Sequence, residues 1–413
     1  MSRRSGGFRK NVTFHRSFTA ALRFAVVVKS WHIATDMHSW WHIWIGTALA
    51  AAGMTYTLVA WFAVQTRSRK TAATARGMPP ASVLKPLCGA DPELYECLRT
   101  CCEQDYPAFQ IICGVRDERD PAVAVVRRLQ CDFPDVDLQL IVDRRQHGEN
   151  RKVSNLINML PHARYDHLVI ADSDVRVPRD HLAAVTAPLL DPDVGIVTCP
   201  YRGQPRSGLW SLLGSLFIND WFIPSVRVAA LAGSRSFAFG VTIAMRREVL
   251  QAIGGFDSIA DQLADDYRLG QLTRRRGLRT VLSDVVVETC VDERTLPQLI
   301  RHELRWLRTI RTVRPLGYAL AGITFSLPVA ALGVLLASGA KPALLLLAIA
   351  TIARVMLHCA GRRKSSALSQ LWALPLADVL GFTLWCWGFA TRRVHWRQDR
   401  FWVARDGSVQ PIP

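Results

Sequence analysis

The stretch Leu168-Val-Ile-Ala-Asp172-Ser-Asp174 decides how the rest of the chain is read. An apolar run of strand length ends in two acids separated by one residue. In open α/β sheets, ligands bind beyond the carboxyl ends of the strands, so this pair of carboxylates stands where a ligand would sit. Hard divalent cations take oxygen ligands and are commonly shared between protein carboxylates and substrate phosphates. A solvated turn is the plain alternative, since Asp favours turns for its own reasons.

Working outward, residues 82–87, 109–115, 138–142, 167–171 and 195–198 are short apolar runs, and the stretches between them can carry helices. That alternation predicts a mainly parallel sheet within an α/β domain spanning 81–315. Half of the 413 residues are hydrophobic and the formal charge is +17. This is too apolar for an ordinary soluble enzyme and too charged for a pure membrane bundle, which points to a soluble domain joined to a few spanning helices. Nucleic acid could account for the positive charge, but so could anionic lipid headgroups and a phosphate-bearing donor. The apolar segments favour the membrane, and no nucleic-acid partner is expected. The ten cysteines contain no Cys-x-x-Cys pair, so reduced thiols in a cytosol-facing domain are expected rather than zinc or a disulfide framework.

Residues 1–39 are basic, and the apolar stretch 22–28 is too short to span a bilayer. Segment 40–64 has no Asp, Glu, Lys or Arg and carries Trp40, Trp41, Trp44 and Trp61 near its ends, the pattern of a transmembrane helix with interfacial anchors. Arg67, Arg69, Lys70 and Arg76 then place the following domain in the cytoplasm by the positive-inside rule. The basic N-terminus opposes that placement, and a start at Met37 instead of Met1 removes the conflict. Residues 316–337, 342–358 and 368–390 are three further candidate spans, giving about four, and Asp378 inside the last is a functional suspect. Three later spans would put the basic tail, 391–413, outside; a re-entrant 368–390 is the alternative. Segment 209–231 is either an interfacial helix or a core helix of the soluble domain.

Other residues could carry chemistry. Asp265 and Asp266 precede Tyr267-Arg-Leu-Gly. A carboxylate there could take the proton of an attacking hydroxyl, or merely favour a helix N-terminus. His302-Glu-Leu-Arg305-Trp306 could hold a diphosphate through Arg305 and close over it with Trp306, or form a basic helix on lipid headgroups. Asp117 ends one apolar run and could read a nucleobase, and Asp91 follows the first run; either could equally be a turn residue. Lys152, between Asn150 and Asn155, could face a phosphate or belong to a solvated loop.

Taken in order, Leu84-Lys-Pro-Leu-Cys-Gly-Ala-Asp91-Pro, Asp105-Tyr-Pro107, Asp172-Ser-Asp174, Ala264-Asp-Asp266-Tyr267 and Arg305-Trp306 resemble the family 2 and family 21 glycosyltransferases. The ceramide glucosyltransferase group is the nearest likeness, including the bacterial hopanoid-biosynthesis enzymes. The resemblance covers roughly residues 40–390. It implies a GT-A fold, a UDP-sugar donor, a divalent metal (Mg2+ or Mn2+) and an inverting transfer of a hexose or N-acetylhexosamine to a lipid hydroxyl. It implies Asp266 as the base, Asp91, Asp172, Arg305 and Trp306 at the donor, and Asp172 with Asp174 at the metal; Asp117 and Lys152 join the donor candidates from their own positions in the sequence. His302 replaces the Gln or Arg that opens the family's last signature, which favours a hopanoid polyol over ceramide. An integral protein of the bacterial inner membrane follows, with its active domain in the cytoplasm. A processive polysaccharide synthase shares these elements but needs more spans, and a non-catalytic membrane scaffold would not need the intact acids. Protein partners are not legible.

Overall fold

The structure is a computed structural model that describes residues 40–66, 77–91, 93–206, 208–234, 238–360, 362, 364–390, 393–396, 399–404 and 407–411. The basic N-terminal segment and Arg67, Arg69, Lys70 and Arg76 lie outside the described residues. Helix α1 (Trp40–Gln65) comes first. Then follow β1 (Ala81–Pro86), α2 (Leu94–Cys102), β2 (Phe109–Val115), α3 (Ala122–Asp132), β3 (Asp137–Val142), α4 (Arg151–Met159), β4 (His167–Ile170), β5 (Val175–Arg176), α5 (His181–Thr186), β6 (Val194–Thr198) and β7 (Tyr201–Pro205). The chain continues with α6 (Gly208–Leu216), a π-helical turn (Phe217–Phe222), α7 (Ile223–Leu231), β8 (Ile243–Arg246), α8 (Arg247–Ala252), α9 (Asp265–Arg275), β9 (Arg279–Leu282), β10 (Val287–Val291) and α10 (Leu296–Val313). It closes with α11 (Pro315–Leu320), α12 (Ser326–Leu336), α13 (Lys341–Cys359), α14 (Lys364–Gln370), α15 (Leu374–Gly388), β11 (Arg393–Trp396), β12 (Asp399–Val403) and β13 (Val409–Pro411).

The main sheet runs β3-β2-β1-β4-β8-β6-β9, with β3 to β4 mutually parallel and β8 antiparallel to both its neighbours. All five expected strands form, each within one residue of its expected ends. Their inward residues, among them Leu84, Ile112, Leu168 and Ile196, are fully or almost fully buried, as both-face burial of a parallel sheet requires. A smaller sheet, β5-β10-β7, stands beyond the carboxyl ends of β1 and β4, where Cys290 N donates to the Asp174 carbonyl oxygen at 3.1 Å.

The membrane helices depart from the hydropathy pattern in two ways. Segment 316–337 is not one straight span: Pro315–Thr324 and Ser326–Leu336 are bent by 73°. The outer limb, α12, runs antiparallel to α1, because Gly46 meets Gly333 and Gly53 meets Ser326 with no room for a Cβ on either α1 glycine. A tight turn through Ser338 and Gly339, both at positive φ, then sends α13 back. Helix α15 passes length and composition as a span, yet it lies alongside α10. Leu374 packs with Leu299, Leu384 packs with Leu304 and Leu307, and Arg311 Nη1 donates to the Gly388 carbonyl oxygen at 2.6 Å.

The tail therefore returns to the soluble domain, which corrects the expectation of an outside tail. Leu263 N donates to Gly407 O at 3.1 Å and Val409 N to Asp261 O at 2.9 Å, while Phe401, Val403 and Val409 bury against Leu263. Backbone pairing of this kind requires both partners on one side of the bilayer, which is met by a re-entrant 368–390 or equally by a re-entrant bent pair Pro315–Leu336. Segment 209–231 is one continuous helix, Gly208–Leu231, with a π-helical turn at Phe217–Phe222 inside it. There Asp220 accepts from His358 Nδ1 at 2.6 Å and from Arg354 Nη1 at 3.2 Å, and it pairs with Arg362. Asp378, the suspected functional acid, is occupied by Arg354 at 2.8 Å. All ten cysteines are free.

Gln410 and Cys131 are both exposed, one on the tail and one on the soluble domain. In sealed vesicles of one orientation, a membrane-impermeant maleimide should label Gln410→Cys and native Cys131 together, as mapped by peptide mass spectrometry. Labelling of one without the other would restore the outside tail.

Candidate active site

Three strand and helix ends converge on one half-buried cation, Lys152. Helix α4 begins at Asn150, a buried N-cap whose side chain accepts from Val153 N at 3.1 Å, so Lys152 falls in the first turn. Its Nζ lies 2.6 Å from Asp172 Oδ1 and 3.3 Å from Asp265 Oδ2. Burial alone would lower the Lys152 pKa; the carboxylates of Asp172, Asp265 and Asp266 outweigh it and hold the ammonium well above its ordinary range. The cluster Asn150, Lys152, Asn155 is thus no solvated loop: Asn155 Nδ2 donates to the Gly114 carbonyl oxygen at 2.7 Å.

Asp265 and Asp266 open α9, where helix-terminal N–H groups favour negative charge. Asp266 Oδ1 accepts from Tyr267 N at 2.6 Å and Oδ2 accepts from Gly240 N at 2.9 Å. Burial, and then the Asp265 carboxylate, push its pKa up to about 6 against the pull of Lys152 and those two N–H donors. The acids sit at a helix N-terminus and also line the cavity.

Asp174 Oδ2 accepts from Thr289 Oγ1 of β10 at 2.6 Å. Burial, and then the Asp172 carboxylate, raise its pKa. The wholly buried Lys85 of β1 reaches the Asp172 carbonyl oxygen at 2.8 Å and fixes the loop that presents both acids. A Cβ at Gly240 would stand 3.4 Å from Asp266 Oδ2, 3.4 Å from Lys152 Nζ and 3.5 Å from Asp172 Oδ2. This cradle of hard oxygen donors fits a divalent cation that takes its remaining ligands from a diphosphate. Among the described residues, no group of three or more His, Cys, Asp or Glu is arranged as a complete metal site, in keeping with such sharing.

Helix α10 supplies the opposite wall. Its start is set by a Thr295–Gln298 capping box. Arg305 lines the cavity. Burial lowers its pKa while Asp172, Glu303, Asp265 and Asp174 pull the other way, and its guanidinium has no hydrogen-bond partner among the described residues. Trp306 stands edge-on to Tyr201 and Phe222, with centroids at 6.1 and 5.7 Å. His302 pairs with Glu293 and meets Trp306 edge-on at 5.7 Å, so the unusual first residue of that signature buttresses the tryptophan.

The cavity, about 2140 Å³, is lined by Asp91, Lys152, Asp172, Asp174, Asp265, Asp266, His302, Arg305 and Trp306. Asp117 is not among its lining residues: it is exposed to solvent and paired with Arg144 at 2.8 Å. Neighbouring Arg116, Asp143 and Arg145 face the cavity instead. Lys85, Thr289, Gly240 and Tyr201 escaped sequence reasoning. Only Lys85 left a trace, a charge within an otherwise apolar strand.

A doubly packed sheet with acids at this edge is the architecture of the GT-A glycosyltransferases. The chain superposes on the mannosyltransferase PcManGT from Pyrobaculum calidifontis, in complex with GDP-Man and Mn2+, with TM-score 0.51 and 24% identity, covering 84% of this chain and 97% of that one. It belongs to glycosyl transferase family 21, whose family model matches residues 45–409. Ceramide glucosyltransferase 1 of Caenorhabditis elegans is 24% identical over 208 residues, 50% of this chain and 44% of that protein. A ceramide glucosyltransferase of Komagataella phaffii is 35% identical over 113 residues, 26% of this chain and 22% of that protein. The chain thus spans less than half the length of these curated relatives.

Two outcomes follow from the geometry. Gly240→Ala should leave the fold intact, since Gly240 is not at positive φ, yet crowd the cradle. Its sugar-transfer rate should fall on the order of tenfold or more, measured against the unaltered protein. A base must be deprotonated to act, so kcat/KM should drop as pH falls through about 6, measured as a pH–rate profile.

Proposed function

We propose that this protein transfers a hexose or N-acetylhexosamine from a UDP-sugar to the hydroxyl of a membrane lipid at the cytoplasmic face. The observation that carries the proposal is the placement of Asp266 across Gly240 from Lys152 and Asp172, inside a cavity that continues between membrane helices. Arg305 and Lys152 hold the diphosphate of the donor, Arg305 by paired hydrogen bonds and Lys152 as a point charge. Asp172 and Asp174 hold the divalent cation, Mg2+ or Mn2+, which when bound neutralises charge growing on the leaving diphosphate. Trp306 closes over the donor, and Asp91 stands at the rim nearer the nucleoside. Asp117, paired at the surface with Arg144 and beside the cavity-lining Arg116, is the further candidate for reading the nucleobase.

Asp266 accepts the proton of the lipid hydroxyl while that oxygen attacks the anomeric carbon from the face opposite the diphosphate. The bond to the diphosphate breaks, UDP leaves, and the anomeric configuration inverts. Asp265 is the less suited base, since its carboxylate is engaged by the Lys152 ammonium. Ceramide and a hopanoid polyol are the two acceptors in view. The curated relatives are named for ceramide, while His302 departs from their signature and favours the hopanoid. The host membrane is then the bacterial inner membrane.

Mass spectrometry of lipids from cells with and without the gene should reveal one glycolipid, bearing a single sugar, that depends on it. Asp266→Asn should abolish that product, with a loss on the order of 10²- to 10⁴-fold in rate. An undiminished product from this variant would remove Asp266 from its role, and a long sugar chain would make the protein a processive synthase.

A further inference from the structure

The cavity is larger than a sugar nucleotide requires. Its volume of about 2140 Å³ exceeds the roughly 300–1,000 Å³ of ordinary small-molecule sites. The excess lies away from the carboxylates. Beyond Phe222 the walls are Ser225, Val228 and Ala229 of α7 on one side, and Gly317, Leu320 and Ala321 of the α11 region on the other. The far end is closed by Tyr56 of α1, whose hydroxyl donates to Ser225 Oγ, since Ser225 Oγ itself donates to the Trp221 carbonyl oxygen. Trp221 Nε1 donates to Thr324 Oγ1 at 2.6 Å and so joins the two walls. Around this end the surface is apolar and open: Leu231 is 50% exposed, Leu320 65% and Leu316 73%.

A water-soluble acceptor would gain little from such walls. An apolar chain would, because each methylene removed from water contributes about 0.8 kcal/mol. We infer that the space between α7 and α11, closed by the Tyr56–Ser225 pair, binds the hydrophobic body of the acceptor lipid, and that Ala229 sets the width available to it. The inference rests on the lipid-acceptor proposal above and deepens it. The bilayer supplies the chain through α1, α7 and α11, the aromatic floor of Tyr201, Phe222 and Trp306 passes it, and the hydroxyl end arrives at Asp266.

The test uses the full chain in detergent, UDP-sugar, and the lipid extract of cells lacking the gene as the probe. Ala229→Val, Ala229→Leu and Ala229→Phe fill the groove in steps. Ala230→Phe is the control, since Ala230 is on the same helix but does not line the cavity. The apparent KM for the extract should rise stepwise along the series, on the order of tenfold for Phe, with UDP affinity kept within about twofold and the control unchanged. Retained UDP affinity also certifies folding, and the Val variant decides the matter if the Phe variant does not fold. An unchanged KM in a variant that binds UDP would overturn the groove, as would an equal effect from Ala230→Phe. If the wild-type protein glycosylates nothing in the extract, it is the lipid-acceptor proposal that fails.

Discussion

The site depends on one ammonium. Lys152 stands among Asp172, Asp265 and Asp266 in a buried space, and without a cation there the three carboxylates could not all be ionised. Like charges at such range raise one another's pKa, and burial adds to the effect. The division of labour among the acids follows from their distance to Lys152. Asp172 and Asp265 are in direct contact with it. Asp266 accepts from two N–H donors, and burial, then the Asp265 carboxylate, push its pKa up to about 6.

Much of this arrangement is visible in the sequence because it is local. A parallel strand buried on both faces shows as a continuous apolar run, and the acids that follow it mark the ligand edge. What stays hidden depends on pairing across long separations. Asp174 is fixed by Thr289, Lys85 by Asp172, and Asp266 by Gly240, and no periodicity announces such partners. The short antiparallel strand β8 carries too little pattern to stand out, although it divides the sheet between β4 and β6. Asp117 ends a strand, but its surface pairing with Arg144 and its place outside the cavity lining are not legible in the sequence. The stretch Ala367–Gly388, which contains α15, is long and apolar enough to cross, as its hydropathy suggests, but its packing along α10 was not legible in that pattern.

Helix α10 joins the two halves. One face buries Leu299, Leu304 and Leu307 against α15 and its neighbours, while Arg305 and Trp306 face the cavity. The cavity-facing residues and the apolar residues that pack with α15 are carried by one element, so this packing fixes the position of Arg305 relative to the membrane helices.

The Asp220 cluster has a consequence for how the molecule can be taken apart. Arg354 and His358 come from α13, Arg362 from the turn after it, Asp378 from α15, and Asp220 from within the globular domain. Removing one member of a buried ionic group strands the others, a loss of typically 3–5 kcal/mol. Cutting the chain after α10 would remove every partner of Asp220 in one step and leave its charge bare beside Trp221 and Phe222, which line the cavity. The enzyme is accordingly not a soluble transferase tethered to a membrane anchor. Its globular part is completed by the hydrophobic helices, and the two must be purified together.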